Sequence, residues 1–443
     1  MPTRRTVFIR SDLFLPYFAL INIGTGRRQM DAMLRNPSAM RIPRTARASY
    51  AIRRARFDFY YRRIKHTEAY MTIFRNVKKN FGFGCMRLPM KDGGVDTSKF
   101  SEMVDEYIAA GFNYFDTAHG YLSGMSEKAL RTCLVDRYPR DSYILTDKLS
   151  SQYFNNADDI RPFFEKQLRI LGVDYFDFYL MHAQSRANYG KYKSCRAYEQ
   201  AFELKSEGKI RHVGISFHDT ADLLDTILSE YPDIEAVQLQ VNYIDYDDAA
   251  VQSKKCLEVC GKHGKPVIVM EPVKGGILVN LPDAADAVLR ALNGGSNASY
   301  AIRFAAGCDG VFMVLSGMSN MRQMRDNLSY MKDFVPLNDT ERKAVSRVTE
   351  IIASMKLISC TSCRYCTEGC PKRISIPDLF SCLNTKHIYK DWNADYYYSV
   401  HTKNSGKASD CIKCGKCEKI CPQHLKIRDL LVKVAAEFEK GEA

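Results

Sequence analysis

The sequence predicts an α/β fold in which a (β/α)8 TIM barrel is followed by a small, α-rich domain that is dense in cysteine. The chain has 443 residues, which exceeds the roughly 250 residues of one such barrel. Between residues 73 and 333, short β-branched or aromatic segments alternate with amphipathic helical stretches, as parallel βαβ units do. Eight of the fifteen cysteines fall in two short runs near the C-terminus. Two structured domains are therefore expected.

Eight segments have the length and the apolar or aromatic content of buried strands. They are Phe81–Gly84, Tyr114–Thr117, Tyr143–Lys148, Phe176–His182, Val213–Phe217, Val237–Val241, Val267–Pro272 and Val311–Gly317. The intervening stretches include helical patterns at Ser98–Ala110 and Ala157–Leu171. Because parallel crossovers are right-handed, eight βα units close most simply into a barrel. An open doubly wound sheet is the structural alternative.

Composition divides the chain into four parts. Residues 1–70 form a basic extension, 71–337 the barrel, 338–358 a connecting segment with a helix over Thr340–Met355, and 359–443 the cysteine-rich domain. Three interpretations of residues 1–70 stay open: sequence upstream of a true start at Met71, a disordered or targeting leader, and an export signal built around Arg4 and Arg5.

The net charge of +13 is concentrated at the N-terminal end. Residues 1–70 contain fifteen Lys or Arg and four Asp or Glu, which leaves a net charge of only +2 for the remainder of the chain. Because that remainder shows no basic stripe, no nucleic-acid partner is expected. The 46% apolar and 26% charged residues are typical of soluble globular proteins, so no membrane association is expected either.

Four polar residues lie at or just after the predicted ends of successive barrel strands, where this fold places its chemistry. They are Asp116, Tyr121, Lys148 and His182. Taken singly, they can be read as a helix cap, a rim aromatic, a solvated strand end and a core histidine. Four such residues in register on neighbouring strands favour a joint catalytic site.

Two cysteine runs have the spacing of the bacterial two-cluster ferredoxin motif, in which the fourth cysteine of each run ligates the other cluster. This pattern assigns Cys360, Cys363, Cys366 and Cys421 to one [4Fe–4S] cluster, and Cys411, Cys414, Cys417 and Cys370 to a second. A zinc site is the alternative, since paired Cys-x-x-Cys also binds zinc. Thiolates that bind iron must be reduced, which favours the cytoplasm. The C-terminal domain is therefore expected to be ferredoxin-like.

Several sequence segments around the four polar residues resemble those of the aldo/keto reductase superfamily. They are Gly82–Pro89, Phe115–Tyr121, Leu145–Lys148, Tyr179–His182 and Gly214–Ser216. The resemblance implies that Tyr121 is the general acid, that Lys148 and Asp116 tune it, and that His182 orients the substrate carbonyl. A phenol is a weak acid at neutral pH, so the ammonium of Lys148 is expected to lower the pKa of Tyr121.

The same resemblance implies a nicotinamide cofactor, either NADP or NAD, because no protein side chain supplies hydride. The cofactor-binding residues that it implies are Gly84, Cys85, Met86, Ser216, Gln238, Ser319 and Asn327. The chain departs from the family at three positions. Phe217 stands where many members have asparagine, and Gly317 and Gln323 stand where NADP-dependent members have lysine and arginine. Arg322 or Arg325 is the substitute candidate for binding the 2′-phosphate.

The leading functional hypothesis is a cytoplasmic, nicotinamide-dependent oxidoreductase that interconverts an aldehyde or ketone with an alcohol. Residues 73–443 resemble the subgroup of the superfamily that carries a fused 4Fe–4S domain. A second hypothesis is an electron-transfer or redox-sensing protein in which the barrel is a scaffold and the clusters meet a redox partner protein. A third is that the clusters only hold the C-terminal domain onto the barrel mouth.

Overall fold

Eight parallel strands close into a barrel in the computed structural model, which describes residues 76–248, 251–389 and 393–439. The strands are β1 (Phe81–Gly84), β2 (Tyr114–Asp116), β3 (Ile144–Leu149), β4 (Phe176–Gln184), β5 (Ile210–Phe217), β6 (Ala236–Gln240), β7 (Val267–Met270) and β8 (Val311–Gly317). Each pairs with the next in sequence, and β1 also pairs with β8. The predicted barrel is confirmed, and every predicted strand lies within three residues of its expected ends.

Ten α-helices of the described residues follow the barrel strands or lie in the loops between them. They are α1 (Thr97–Ala109), α2 (Met125–Leu130), α3 (Ile160–Leu171), α4 (Tyr189–Ser194), α5 (Ala197–Ser206), α6 (Ala221–Glu230), α7 (Ser253–Lys262), α8 (Asp283–Arg290), α9 (Asn297–Ala306) and α10 (Met321–Met331). The helix predicted from Ala157 begins as a 3-10 turn, because the side chain of Asn156 caps that turn, and becomes α-helical at Ile160.

The register of the strands brings the predicted polar residues to one rim. Gly84 at the end of β1 pairs with Asp116 at the end of β2, and Asp116 pairs with Thr146 in β3. Lys148 lies two residues farther along β3, opposite Leu180 in β4. Since all strands are parallel, their carboxyl ends meet at the same mouth of the barrel. Beneath that mouth, apolar side chains fill the barrel interior: Tyr114, Ile144, Phe178, Leu180, Ala236, Ile268, Met313 and Leu315.

Helix α11 (Asp339–Ser354) packs on the flank of the barrel instead of simply leading away from it. Asn338 and Glu341 cap its first turn reciprocally. Its buried residues, including Val345 and Val348, share one apolar cluster with residues of α8 and α9. The interval 338–358, which composition separates as a connector, is thus largely part of the barrel's outer layer.

The C-terminal domain is built from five helices among the described residues. They are α12 (Tyr365–Glu368), α13 (Ile376–Tyr389), α14 (Asn393–Thr402), α15 (Lys416–Ile420) and α16 (Ile427–Phe438). Ile376, Leu379, Phe380, Leu431 and Val434 form its apolar core. The predicted α-rich character is confirmed. None of the described helices is both long and apolar enough to cross a membrane. The expectations for residues 1–70 lie outside the described residues.

The C-terminal domain closes over the mouth of the barrel through its cysteine loops. The guanidinium of Arg87, just after β1, donates a hydrogen bond of 2.9 Å to the carbonyl oxygen of Thr361. The side chains of Gln240, at the end of β6, and Gln423 exchange two hydrogen bonds of 2.9 and 2.7 Å. Gly275, in the loop after β7, lies directly against the backbone of Thr361.

We expect Gly275→Ala to loosen this contact. The added Cβ would lie 2.4 Å from the carbonyl oxygen of Thr361, so the two domains would have to move apart. Hydrogen exchange should rise across residues 360–366 and 421–424. Gly276→Ala is the matched control, because Gly276 also has a positive φ but a Cβ there meets no atom within 4 Å. Equal exchange in the two variants would show that the backbone conformation, and not the contact, is what matters.

Candidate active site

Lys148 is the centre of the polar cluster at the barrel mouth. Its ammonium group donates hydrogen bonds of 2.6 Å to Asp116 Oδ1, 2.7 Å to the carbonyl oxygen of Thr117 and 3.1 Å to the hydroxyl of Tyr121. The lysine is completely buried and Asp116 is 3% exposed. A buried ammonium is stable only when it is paired and hydrogen-bonded, and these three partners satisfy all three of its donors.

Tyr121 reaches the cluster because the chain turns sharply after β2. Its backbone amide donates to the carbonyl oxygen of Ala118 at 2.9 Å. The following Leu122 and Ser123 take left-handed conformations with φ of 52° and 55°. Such a conformation costs of order 1–3 kcal/mol at non-glycine residues and clusters at functional sites. The turn holds the phenol ring beside His182, with the ring centroids 6.0 Å apart.

His182 is held by groups from two other segments. Its Nδ1 lies 2.6 Å from the hydroxyl of Ser150, and its carbonyl oxygen accepts a hydrogen bond of 2.9 Å from Tyr192. Burial holds the pKa of His182 well below its ordinary value, and the charge of Lys148 and the nearby His218 act in the same direction. The imidazole is therefore neutral at physiological pH. In the tautomer in which the Ser150 hydroxyl donates to Nδ1, Nε2 carries the proton and can donate it to a ligand in the cavity.

The pKa of Tyr121 contradicts the expectation from the sequence. Burial raises it well above the usual value of a phenol, and the negative charges of Asp116 and Glu271 raise it further, while Arg87 opposes them. The predicted net lowering by Lys148 is wrong. Asp116 lies against the same ammonium and offsets its charge, and a buried phenolate loses its hydration. Tyr121 is therefore a protonated phenol throughout the neutral range.

A cavity of about 730 Å³ opens over these side chains. Asp116, Tyr121 and His182 line it, and so do five of the seven residues expected to bind the cofactor: Gly84, Met86, Gln238, Ser319 and Asn327. Gln238 donates a hydrogen bond of 3.0 Å to Asp116 Oδ2. The side chains of Cys85 and Ser216 do not line the cavity. Cys85 packs into the core between the strands and helices, and Ser216 is buried with its Oγ 3.4 Å from the amide of Ala183.

The cluster-motif cysteines fall into two groups in space. Cys370, Cys411, Cys414 and Cys417 line one small cavity of the C-terminal domain. Cys421 lies close enough to Cys360, Cys363 and Cys366 for its charge to raise the pKa of each of these thiols. Each group therefore combines three cysteines of one run with the fourth of the other, as the ferredoxin pattern predicts. No three Cys, His, Asp or Glu side chains in the described part of the chain converge on a point that would hold a single metal ion.

Comparison with protein families decides the identity of the barrel. The sequence profile of the aldo/keto reductase family matches residues 80–350, more than half of the chain. The chain belongs to the aldo/keto reductase family. A 4Fe-4S dicluster domain matches residues 359–425 directly after it.

Relatives of this aldo/keto reductase are 25–27% identical to it over the segments that match. The uncharacterized oxidoreductase YqkF of Bacillus subtilis is 27% identical over 213 residues, which are 45% of this chain and 63% of the relative. The NADH-specific methylglyoxal reductase of Escherichia coli is 27% identical over 207 residues, 43% of this chain and 61% of the relative. The chain thus spans less than two thirds of these two relatives. L-galactose dehydrogenase of Arabidopsis thaliana is 25% identical over 62% of this chain and 91% of its own length.

Solved structures of aldo-keto reductases superpose on the barrel. The holo form of aldo-keto reductase AKR11C1 from Bacillus halodurans has a TM-score of 0.50 and 26% identity, and the match covers 61% of this chain and 92% of that one. An aldo-keto reductase from Klebsiella pneumoniae in complex with NADPH has a TM-score of 0.50 and 20% identity, with 61% and 90% covered. The second likeness shows the fold alone.

Of the two arginines that the sequence offers for phosphate binding, only Arg322 lines the cavity of this aldo/keto reductase. Arg325 is paired on the outside of the barrel with the carboxylate of Glu106, at 2.9 and 3.0 Å. Arg322 lines the cavity beside Ser319. The hydroxyl of Ser319 donates to the carbonyl oxygen of Arg87 at 3.0 Å. Arg322 is therefore the arginine that a phosphate in the cavity would meet.

Several cavity residues of this aldo/keto reductase were missed by reasoning from the sequence. Thr361, Cys363, Tyr365, Pro422 and Gln423 come from the C-terminal domain. No strand or helix pattern could have found them, because they reach the cavity only through the docking of one domain on the other. Only Cys363 could have been suggested by the sequence, because it belongs to the cysteine motif. A fused electron-transfer domain is expected to hold a cluster close to the barrel mouth.

His218 is a further missed residue, and it directly follows the end of β5. Its Nδ1 is buried without a hydrogen-bond partner among the described residues, and the ring lines the cavity. Burial lowers its pKa to about 3, with the charges of His424 and Lys148 acting in the same direction. A neutral imidazole with a free nitrogen can hydrogen-bond a polar group of a ligand. The sequence does contain one indication of this role, because His218 stands one residue after the end of a predicted strand.

Proposed function

We propose that this aldo/keto reductase is a nicotinamide-dependent oxidoreductase that interconverts a small aldehyde or ketone with an alcohol, with Tyr121 as the general acid and base. The observation that carries the proposal is the ammonium of Lys148, which joins Asp116 to the hydroxyl of Tyr121 inside the cavity. A protonated phenol beside a buried cation is what a developing alkoxide requires. Methylglyoxal reductase and L-galactose dehydrogenase, the names of two relatives, fit small carbonyl and alcohol substrates.

The residues around the cavity fit a nicotinamide dinucleotide. Gln238 presents a side-chain amide near Asp116, and Ser319 and Arg322 lie near the N-terminus of α10, while Asn327 lies farther along that helix. A helix N-terminus and an arginine favour the phosphate groups of such a cofactor. When bound, the cofactor supplies or accepts the hydride. Arg322 would contact the 2′-phosphate of NADP, and the proposed cofactor is NADP or NAD.

The proposed catalytic roles follow from the hydrogen bonds among the polar side chains around Lys148. The substrate oxygen accepts one hydrogen bond from Tyr121 and one from Nε2 of His182, which fixes the carbonyl in place. As negative charge develops on that oxygen, the phenolic proton of Tyr121 moves to it. Lys148, with its ammonium 3.1 Å from the phenolic oxygen, stabilises the phenolate that results. Asp116 keeps the lysine side chain in position. The reverse sequence oxidises an alcohol.

We further propose two [4Fe–4S] clusters with the ligand sets Cys360, Cys363, Cys366, Cys421 and Cys411, Cys414, Cys417, Cys370. The dicluster domain and the two spatial groups of cysteines support this assignment. The first cluster then lies in the wall of the active-site cavity, because Cys363 lines it. Thiolate ligands require a reducing environment, which supports a cytoplasmic location.

A second candidate function is electron transfer through the clusters, with the barrel as a scaffold. The observation that favours it is the position of Cys363 and Tyr365 in the cavity wall beside Tyr121. Cys363 would hold the first cluster at this wall, and the cluster would supply one-electron chemistry there. The two functions differ in what depends on Tyr121: carbonyl reduction needs its proton, whereas electron transfer does not.

An anaerobic titration of the cluster-loaded protein with NADPH and NADH separates these functions. Cofactor binding is followed by fluorescence and cluster reduction by electron paramagnetic resonance. Binding without cluster reduction, together with turnover in a screen of small aldehydes and ketones, supports the carbonyl reductase. Cluster reduction without any carbonyl turnover supports the electron-transfer protein. Absence of nicotinamide binding would overturn the proposed function.

The pH dependence of carbonyl reduction gives a separate prediction. The raised pKa of Tyr121 keeps the phenol protonated, and the lowered pKa of His182 keeps the imidazole neutral. Therefore kcat/KM for reduction should be flat between about pH 6 and pH 9 and should fall only above about pH 10, beyond the usual phenol pKa. An alkaline fall near pH 8 would mean that the pKa of Tyr121 is lowered in the free enzyme.

A further inference from the structure

We infer that the surface around Cys414 is a docking site for an acidic one-electron carrier protein, which exchanges electrons with the second cluster. The inference rests on the two-cluster part of the proposed function and not on the carbonyl chemistry at Tyr121. Four features carry it: the exposure of a cluster ligand, an apolar contact surface, a local excess of positive charge, and the position of the first cluster at the active-site cavity.

The second group of cysteines reaches the surface, whereas the first lies deeper. Cys414 is exposed, while Cys366 of the first group is buried. Beside Cys414, Ile412 is 57% exposed and lines the same small cavity. Electron exchange between proteins needs close approach to a redox centre, and an exposed aliphatic side chain next to it supplies a dry contact. Small, partly apolar contacts of this kind are typical of transient redox complexes.

Positive charge surrounds this exposed cysteine. Lys372, Lys413 and Lys416 are exposed and flank Cys414 in sequence or line its cavity. No carboxylate of the described residues forms an ion pair with any of these three lysines. Residues 403–428 contain seven Lys or Arg and two Asp or Glu, while the chain beyond residue 70 has a net charge of only +2. The positive field is therefore local to the second cluster.

A patch of this charge selects a carrier with an acidic surface. Opposite charges raise the rate of encounter by about 10- to 1,000-fold at low ionic strength, and salt removes the effect. An acidic ferredoxin or flavodoxin has the required chemistry. The transfer itself is balanced: one electron leaves the reduced carrier and one enters a cluster, with no bond or proton changed.

The two clusters then connect the surface to the active-site cavity. The first group of cysteines lies on the barrel side, where Cys363 lines the cavity and Gln423, two residues after Cys421, is hydrogen-bonded to Gln240. In the second group, Cys414 is exposed. Each run contributes its fourth cysteine to the other group, so the two groups lie side by side. An electron carrier that docks at Cys414 would thus contact the outer end of an electron-transfer path whose inner end lies beside Tyr121.

The test uses the full, cluster-loaded protein and an acidic plant-type [2Fe–2S] ferredoxin as the probe. Isothermal titration of the two oxidised proteins measures binding, and stopped-flow absorbance measures the rate of cluster reduction by the reduced ferredoxin. Both the affinity and the second-order rate constant should fall at least tenfold as ionic strength rises from about 0.01 M to about 0.3 M, where charges are screened. A rate that is insensitive to salt would overturn the inference.

Charge-reversal variants locate the site. The Lys413→Glu/Lys416→Glu variant should lose at least tenfold in affinity and rate, while Lys332→Glu/Lys343→Glu, with the same change of total charge on the barrel, should lose less than twofold. Iron and acid-labile sulfide analysis checks cluster loading. If the first variant does not load its clusters, Lys413→Gln/Lys416→Gln takes its place with a smaller loss expected. Equal losses in patch and control variants would refute a local site, whatever the outcome of the carbonyl assays.

Discussion

Replacing Tyr121 by phenylalanine is expected to lower kcat/KM for carbonyl reduction by about 10²- to 10⁴-fold, the usual contribution of a general acid. The substitution removes one oxygen and leaves the ring beside His182. The fold and the affinity for the nicotinamide cofactor should not change, because neither depends on that hydroxyl. Steady-state assays with NADPH measure the loss, and fluorescence titration measures cofactor binding.

Tyr138→Phe is the matched control for this experiment. Tyr138 has a hydrogen-bonded hydroxyl like Tyr121, since it donates to the carboxylate of Asp105, but it does not line the cavity. Its loss should leave kcat/KM within about twofold, as expected for a change away from the site. If Tyr121→Phe retains carbonyl reduction, the proton comes from another group. If the variant loses nicotinamide binding as well, the hydroxyl acts on the cofactor and the assignment of Tyr121 as the acid fails.

The position of the polar cluster around Lys148 could be predicted from the sequence because strand periodicity fixes it. Parallel strands bring their carboxyl ends to one rim, so Asp116 and Lys148 on neighbouring strands had to approach each other. The observed distance of 2.6 Å between their charged groups follows from that register. Likewise, the ferredoxin spacing alone predicts how the cysteines divide into two spatial groups.

The sign of the pKa shift of Tyr121 could not be predicted in the same way. The sequence names the neighbours of the phenol, but the shift depends on burial, which is largest among its causes. Cys85 illustrates a similar limit. It lies one residue beyond β1 at the barrel mouth, yet its side chain points into the core between strands and helices. Sequence spacing places the backbone at the site and leaves the direction of the side chain open.

Contacts between the two domains are the part that sequence patterns miss altogether. Gln240, Lys274 and Gln423 are separated by up to 183 residues, and none belongs to a recognisable motif of charge or spacing. They meet because the loop after Cys421 is inserted into the barrel mouth. The structure therefore shows a buried polar network that joins the active-site domain to the cluster domain.

Replacing Lys274 by methionine is expected to lower the free energy of unfolding by about 3–5 kcal/mol, the cost of leaving one partner of a buried ion pair alone. The ammonium of Lys274 bonds to Asp245 Oδ1 and, at 3.3 Å, to Gln423 Oε1. Lys274 and Asp245 are both under 5% exposed. Without the lysine, the carboxylate stays buried, with the amide donors of Gln240 and Asn242 at 2.6 and 2.7 Å but no counter-charge. Urea unfolding measures the change.

Lys262→Met tests whether burial is the reason for that large effect. Lys262 also pairs with an aspartate, Asp225, at 2.8 Å, but its side chain is 63% exposed. Water screens such a pair, so its loss should cost no more than about 1 kcal/mol. Gln423 of the cluster domain belongs to the same network. In the Lys274→Met variant, the absorbance of the iron–sulfur clusters should therefore be lost at a lower urea concentration than the one at which the barrel unfolds. Equal destabilisation by the two substitutions, or loss of both signals at one unchanged midpoint, would show that the buried network does not couple the domains.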